Sequence, residues 1–246
     1  MPSTVAITRV INPCTLIEID GESVLTDPYF TNRWFIPMKE PIGLTAQELP
    51  RLAAILGGHG VLDHWNPRSL RDYPYRASTP VVVATAGMAR AARRAGFDDV
   101  QLLRWGEHRR LSPALSVTSL PGERAAGTRT NCYLLRGPAV SVFIGTEARR
   151  IEPITQCAAR HRVDIAILPI DGLRFLRRQL VMDARTALRA TRILGAHTLV
   201  PIHYSQRPIP GLLQCPSGLA DLKVLASSEP SISIRHAPTG HQLILD

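Results

Sequence analysis

The stretch Ile55-Leu-Gly-Gly-His-Gly-Val-Leu-Asp-His-Trp65 combines the end of an apolar run with three side chains that can bind a metal. The run at residues 53–56 predicts a short buried strand, and the two glycines after it allow a tight turn. His59, Asp63 and His64 then follow within six positions. Imidazole nitrogens and carboxylate oxygens are ligands of zinc and related ions. The stretch therefore predicts a polar or metal-binding site at the end of a strand.

A further histidine, His203, stands directly after the apolar run Leu199-Val-Pro-Ile202. Open sheets present functional side chains where their strands end. We therefore expect His203 to lie beside the segment 59–64, although the two are far apart in sequence.

Strand-like and helix-like segments alternate along the chain, which predicts an α/β fold. Two β-rich runs around Gly21 predict a hairpin near the N-terminus. Thr45 and Glu48 form a capping-box pattern, and Asp183 and Gly195 are the expected N-cap and stop of a later helix. No linker divides residues 1–246, so we expect a single domain. Helices are predicted over residues 45–52, 87–95, 152–161 and 183–194, and strands over 53–56, 80–84, 100–103, 115–120, 132–135, 140–144, 165–168 and 198–201.

The composition is that of an ordinary globular protein. Hydrophobic residues make up 45% and charged residues 20% of the chain, which excludes disorder, collagen-like repeats and a coiled coil. No apolar run approaches the roughly 20 residues of a membrane helix, and the N-terminus has no secretory signal pattern. The four cysteines lie far apart without a C-x-x-C pair, which favours a reducing, cytoplasmic location.

The formal net charge of +9 raises the question of a nucleic-acid partner. The arginines are dispersed along the sequence, and no stripe of basic and aromatic residues of the kind that binds single strands is visible. We therefore expect a small-molecule substrate and neither a nucleic-acid nor a membrane partner. A nuclease ranks last among the candidate functions.

The chain resembles the metallo-β-lactamase fold superfamily, and within it the branch of ascorbate-6-phosphate lactonase-like and phospholipase-D-like hydrolases. The resemblance rests on Leu25-Thr-Asp-Pro28, on the segment 59–64, on Val163-Asp-Ile-Ala-Ile-Leu-Pro169 and on Pro201-Ile-His203. It covers nearly the whole chain. The fold that it implies is a four-layer αβ/βα sandwich, with the site at the edge between two β-sheets.

The metal motif departs from the family pattern H-x-H-x-D-H, which reads His59-Gly-Val-Leu-Asp-His64 here. Val61 replaces the second histidine, Arg124 stands in the region of the third, and Thr146 takes the place of the bridging aspartate. The resemblance thus implies that the first metal site keeps only one ligand. The second site keeps its three ligands, Asp63, His64 and His203, which suffice for one catalytic ion.

The resemblance also implies roles for residues around the first metal position. Arg124 would supply a positive charge that binds a carboxylate or phosphate, unless it is a solvated surface arginine. Glu147 would serve as a substitute ligand or as a general base, and His59 would line the pocket or cap the loop. Asp63 is a catalytic candidate as well as a ligand. Asp27 would support the ligands or form a turn.

The function that the resemblance implies is that of a hydrolase with at most one divalent metal, zinc first and manganese or iron as alternatives. It would act on an ester, lactone, amide or phosphoester of a small molecule, an anionic one if Arg124 lies in the pocket. The metal would lower the pKa of bound water and polarise the substrate. Two alternatives remain open. One is a lyase, cyclase or isomerase that uses the same pocket, and the other is a metal-free, non-catalytic binding protein.

Overall fold

A computed structural model describes residues 3–31, 33, 36–125 and 128–245, without the side chains of Arg124 and Ala125. The strands are β1 (Val5–Ile11), β2 (Cys14–Ile19), β3 (Glu22–Thr26), β4 (Leu52–Gly57), β5 (Val81–Val83), β6 (Val100–Leu102), β7 (His108–Arg110), β8 (Ser116–Ala125), β9 (Thr128–Arg136), β10 (Ser141–Ile144), β11 (Ile165–Pro169), β12 (Arg174–Phe175), β13 (Arg178–Gln179), β14 (Thr198–Ile202), β15 (Leu213–Gln214), β16 (Ser233–Ile234) and β17 (Gln242–Leu245). The helices are α1 (Ala86–Arg94), α2 (Glu152–Ala158), α3 (Ala184–Leu194) and α4 (Leu219–Ala226), with 3₁₀ turns at Ala46–Glu48 and Pro67–Leu70.

Two seven-stranded mixed sheets contain most of the strands. The first runs in the order β17-β1-β2-β3-β4-β5-β6, and the second in the order β16-β14-β11-β10-β9-β8-β7. In each sheet one half is antiparallel. The other half, from β3 to β6 and from β10 through β11 and β14 to β16, is parallel. Parallel strands end at a common edge, so each sheet brings several strand ends together in one place. A third, small sheet consists of β13, β12 and β15.

The two large sheets pack face to face around a shared core. Successive residues of a strand point to opposite faces, so Leu56 of β4 and Ile167 of β11 lie in this central core, whereas their neighbours Ile55 and Leu168 face outward. The outer face of the first sheet is covered by α1, and that of the second by α2, α3 and α4. The order helix, sheet, sheet, helix confirms the predicted four-layer αβ/βα sandwich.

Side-chain caps begin the two longest helices. The Asp183 side chain accepts a hydrogen bond from Thr186 N at 2.8 Å at the start of α3, and Gly195 ends that helix with a φ of 69°, as predicted. Thr85 caps α1 through a hydrogen bond from Met88 N at 3.3 Å. In the part of the chain that the structure describes, none of the helices combines the length and the apolar character needed to cross a membrane.

The predicted helix over residues 45–52 is wrong. Its capping box forms, with Thr45 N 2.6 Å from Glu48 Oε2, but only a single 3₁₀ turn follows. Pro50 disfavours helical backbone at Leu49, which is extended with a φ of −67° and a ψ of 134°. The capping box therefore begins a helical turn as predicted, but Pro50 ends the helix after that one turn.

Two antiparallel hairpins extend beyond the predicted strands. β8 and β9 have ten and nine residues, longer than the predicted runs 115–120 and 132–135. The pairing register shifts between Pro121 and Arg124, and this bulge accommodates a proline that cannot donate to the ladder. The shorter hairpin, β12–β13, lies in a segment for which no strand is predicted.

A buried ionic network joins β1 to the segment that follows β14. The Arg9 side chain, which is 5% exposed, donates from Nη1 to Glu40 Oε2 at 2.8 Å and to Ser205 Oγ at 2.7 Å. Ser205 and Thr239 donate to the same carboxylate oxygen at 2.6 and 2.7 Å. Partial burial would raise the pKa of Glu40, but these donors lower it to about 2. The network fixes the chain two residues after His203.

Glu40→Gln should destabilise the protein in a pH-dependent way. The pKa of Glu40 lies below its ordinary value of 4.5 in the folded protein, so its stabilising effect is present above that value and is lost as the pH falls towards 2. We expect a free energy of unfolding lower by roughly 1–2 kcal/mol at neutral pH, measured by urea denaturation. The difference between parent and variant should vanish in the acid range. A difference that is independent of pH would contradict this account.

Candidate metal site

The candidate site lies where parallel strands of the two large sheets end. β4 leads into His59, Asp63 and His64, and β10 leads into Glu147. His203 directly follows β14. The structure therefore brings together, at one edge, ligand candidates from three separate segments of the chain.

Two triads of potential ligands share His64. Asp63, His64 and His203 form one triad, and His59, His64 and Glu147 form the other, with ligand atoms within 4.8 Å of one another in each. His64 Nε2 lies 3.9 Å from Asp63 Oδ2 and 3.3 Å from Glu147 Oε1. The rings of His64 and His203 are fully buried, with centroids 5.4 Å apart. The two triads together therefore place four further potential metal ligands around His64.

Two buried carboxylates hold the imidazoles of His64 and His203. Asp27 Oδ2 lies 3.0 Å from His64 Nδ1, and Asp171 Oδ2 lies 3.3 Å from His203 Nδ1. An Nδ1–H donated to each carboxylate leaves the Nε2 lone pair facing the site. Both Nε2 atoms are buried and make no hydrogen bond within the described chain. Two converging nitrogen lone pairs beside the Asp63 carboxylate are a donor set that fits a divalent cation.

The facing carboxylates make the site electronegative. Burial alone would lower the pKa of His64, but its carboxylate neighbours, Asp63 foremost, outweigh burial and raise that pKa well above its ordinary value. Burial also opposes protonation of His203, and the Asp171 carboxylate again reverses the effect and raises the pKa. The site therefore stabilises a positive charge.

Glu147 is a buried carboxylate that faces two histidines. Its Oε1 lies 3.1 Å from His59 Nδ1 and 3.3 Å from His64 Nε2, without the alignment of a hydrogen bond. Burial would raise the pKa of Glu147, but the two histidines lower it below its usual range. The carboxylate is therefore an anion that can bind a cation or accept a proton.

The ligand loop begins with a close backbone contact at Gly58. A Cβ atom there would lie 2.8 Å from Thr146 Oγ1 and 2.9 Å from the carbonyl oxygen of Asn131. Gly58 N donates to Asp27 Oδ1 at 2.6 Å, and Asn131 N donates to the Gly58 carbonyl at 2.9 Å. Because only glycine allows this approach, the position ties the ligand loop of the first sheet to β9 of the second.

Two residues of the site have a left-handed backbone. Asp27 has a φ of 41° and His203 a φ of 56°. Residues other than glycine rarely adopt such values, and backbone strain of this kind concentrates at functional sites. Both residues directly follow a strand, β3 and β14, so the left-handed backbone lies where these strands enter the site.

The structure describes only part of the predicted site. Arg124 belongs to β8, but its side chain lies outside the described residues, so its role as a pocket cation stays a prediction. Thr146 is buried against Gly58. The sequence interpretation missed Asp171, which ends the apolar run Ile165–Ile170 that contains β11, one residue after the strand itself. The pattern of a polar residue directly after an apolar run was the available signal.

A cavity of about 280 Å³ opens beside His59 and Glu147. His59 therefore lines a pocket in addition to facing Glu147. Other residues that line this cavity are Val61, Glu123, Arg149, Phe175, Arg178 and Leu180.

A sequence model of the beta-lactamase superfamily domain matches residues 22–204, a span that contains every ligand candidate described above. The chain belongs to the beta-lactamase superfamily. The predicted superfamily is thereby confirmed, whereas the branch within it stays a prediction.

The chain is also similar, at low identity, to several individual proteins. The chain is 25% identical over 198 residues to a UPF0173 metal-dependent hydrolase of Methanosphaerula palustris, covering 79% of this chain and 81% of that protein. It is also 25% identical over 249 residues to an uncharacterized protein of Mycobacterium tuberculosis, of which it spans 65% of the length. Its fold matches Igni18, a metallo hydrolase of Ignicoccus hospitalis, with a TM-score of 0.77 and 17% identity over 99% of each chain.

Gly58→Ala should distort the ligand loop far more than Gly60→Ala. The added methyl group at Gly58 would press on a backbone carbonyl, whereas at Gly60 it would meet the flexible Met88 side chain at 3.3 Å. Overpacking of this kind costs about 1–3 kcal/mol, so we expect a loss in that range for Gly58→Ala and less than about 0.5 kcal/mol for Gly60→Ala. Thermal unfolding measures both. Equal effects would mean that the Gly58 contact is not constrained.

Proposed function

We propose that the protein is a metal-dependent hydrolase that binds one divalent ion through Asp63, His64 and His203. The observation that carries the proposal is the pair of buried Nε2 atoms, each backed by a carboxylate and each without a hydrogen-bond partner in the described chain. Superfamily membership and the metal-dependent hydrolase among the relatives support it. The nitrogen and oxygen donors suit zinc first, with manganese and iron as alternatives.

The protein binds a single ion because the two triads share His64. Nδ1 of His64 is engaged with Asp27, so only Nε2 is available, and one nitrogen lone pair binds one ion. The triads on either side of His64 therefore cannot both be filled. Val61 and Thr146 remove donors that a second ion would need.

The ion would supply a water of lowered pKa and polarise the bond to be cleaved. Asp63, His64 and His203 would hold it, while Asp27 and Asp171 keep the two imidazoles in the orientation that presents Nε2. Glu147 would orient the attacking water through a hydrogen bond to its anionic carboxylate, and as the general base it would pass the proton of that water on to the leaving group. His59 Nδ1, at 3.1 Å, keeps that carboxylate directed into the site.

The substrate is a small molecule with an ester, lactone, amide or phosphoester bond. A panel of chromogenic substrates for these four bond types, assayed with and without chelator, tests the reaction. Turnover that stops with chelator and returns with zinc supports the proposal. An ion-loaded protein that cleaves none of them would favour a lyase, cyclase or isomerase, and a protein that binds no ion would favour a binding protein.

Removal of one ligand should abolish tight metal binding. We expect one equivalent of zinc per chain in the parent and an affinity lower by at least about 100-fold in His203→Ala. His108→Ala is the control, because His108 is an exposed histidine outside both triads. Equilibrium dialysis with elemental analysis measures the stoichiometry. Two equivalents in the parent, or an unchanged affinity in His203→Ala, would contradict the assignment.

Loss of a carboxylate that holds a ligand histidine should lower the affinity for zinc. Asp171→Asn should weaken zinc binding about 10- to 100-fold, since the amide no longer fixes His203 as an anion does. Asp164→Asn is a matched control: Asp164 is also buried but lies at the opposite end of β11, where it accepts hydrogen bonds from Ser141. Its replacement should lower thermal stability and leave zinc affinity unchanged. Equal zinc affinities in both variants would show that Asp171 does not support a ligand.

A further inference from the structure

The β12–β13 hairpin has a tight turn of unusual composition. Its two turn residues, Leu176 and Arg177, have φ values of 47° and 67°. A two-residue turn with both φ values positive normally uses asparagine, aspartate or glycine. Neither turn residue is glycine, so the hairpin contains strain of the kind that structures keep at binding sites.

One face of this hairpin lines the cavity beside the metal site. Phe175 and Arg178 are directly opposite each other across the two strands, and opposite residues share a face. Both line the cavity, together with Leu180. The turn residues Leu176 and Arg177 do not line it.

A further apolar side chain lines the same cavity. Val61 lines it and is 38% exposed. This is the position at which the motif H-x-H-x-D-H has its second histidine. The position of a potential ligand is thus taken by an apolar side chain that lines the same cavity as Phe175.

Among the charged side chains that line the cavity, the guanidinium of Arg178 differs from the others in having no ion-pair partner among the described residues. Glu123 accepts hydrogen bonds from Arg149 at 3.2 Å and from Arg150 Nε at 3.0 Å. Glu147 faces the histidines of the metal site. The side chain of Arg178, an exposed residue, in contrast makes no hydrogen bond or salt bridge with another described residue.

The geometry points to a substrate with an apolar body and a single anionic group. Its body packs on Val61, Phe175 and Leu180, and its anion binds the guanidinium of Arg178. The first metal position of the family pattern has thereby become part of a substrate pocket. This inference rests on the proposed function for the reaction itself, but the binding of the ligand can be measured without turnover.

Hexanesulfonate is the probe, because it joins an apolar chain to an anion that is a weak metal ligand. Isothermal titration calorimetry of the protein as purified, residues 1–246, should give one hexanesulfonate per chain. Methanesulfonate lacks the apolar body and hexanol lacks the anion, so each should bind at least about tenfold more weakly. Equal affinity for hexanesulfonate and either of these would overturn the inference.

Two matched pairs of variants locate the binding. Phe175→Ala and Arg178→Gln should each weaken hexanesulfonate about tenfold. The controls at their hairpin neighbours, Leu176→Ala and Arg177→Gln, remove another large apolar side chain and an identical guanidinium outside the cavity, and they should stay within about twofold of the parent. If the neighbours weaken binding as much as the cavity residues do, the cavity is not the site.

Elemental analysis of the same samples separates this inference from the proposed function. If the protein holds no ion but the variants give the expected pattern, the pocket assignment stands and the hydrolase proposal fails. If the protein holds an ion and hexanesulfonate does not bind, the pocket assignment fails and the hydrolase proposal stands.

Discussion

The buried carboxylate of Asp27 holds the ligand loop in place, and the rest of the site depends on it. One oxygen accepts the Gly58 N–H and the other accepts Nδ1–H of His64. A fully buried anion is costly unless its oxygens are satisfied, so the carboxylate enforces both the loop position and the ring orientation. Asp171 holds His203 on the second sheet in the same way. The two large sheets therefore act as a rigid frame that makes two Nε2 atoms converge.

Thr146 and Val61, which stand where the family pattern has metal ligands, both change the packing around the site. Thr146 packs a hydroxyl against Gly58, so the loop can approach without a second buried anion beside Asp27. Val61 removes a nitrogen donor and adds an apolar surface to the cavity. In the proposed one-ion site, the missing donor and the apolar lining of the cavity thus have the same origin, the side chain of Val61.

Local patterns in the sequence predicted the α/β character, and the family resemblance implied the four layers. The structure brings the candidate ligands together, whereas their role as ligands stays a prediction. Buried strands give continuous apolar runs, the Asp183 cap and the Gly195 stop bound α3, and His203 follows its strand directly. The sequence-based prediction failed where a later residue overrode a local pattern or where no such pattern existed. Pro50 ends the helix that Thr45 starts, and the turn of the β12–β13 hairpin uses residues with no turn preference. The proposed single domain, the location and the role of Arg124 stay predictions.

In the proposed site, one ion binds between the imidazoles of His64 and His203. A crystal structure of the zinc-loaded protein, with anomalous diffraction data collected at the zinc absorption edge, tests it most directly. We expect one anomalous peak per chain, bonded to His64 Nε2, His203 Nε2 and Asp63. Two peaks, or one peak bonded to His59 and Glu147 without His203, would contradict it.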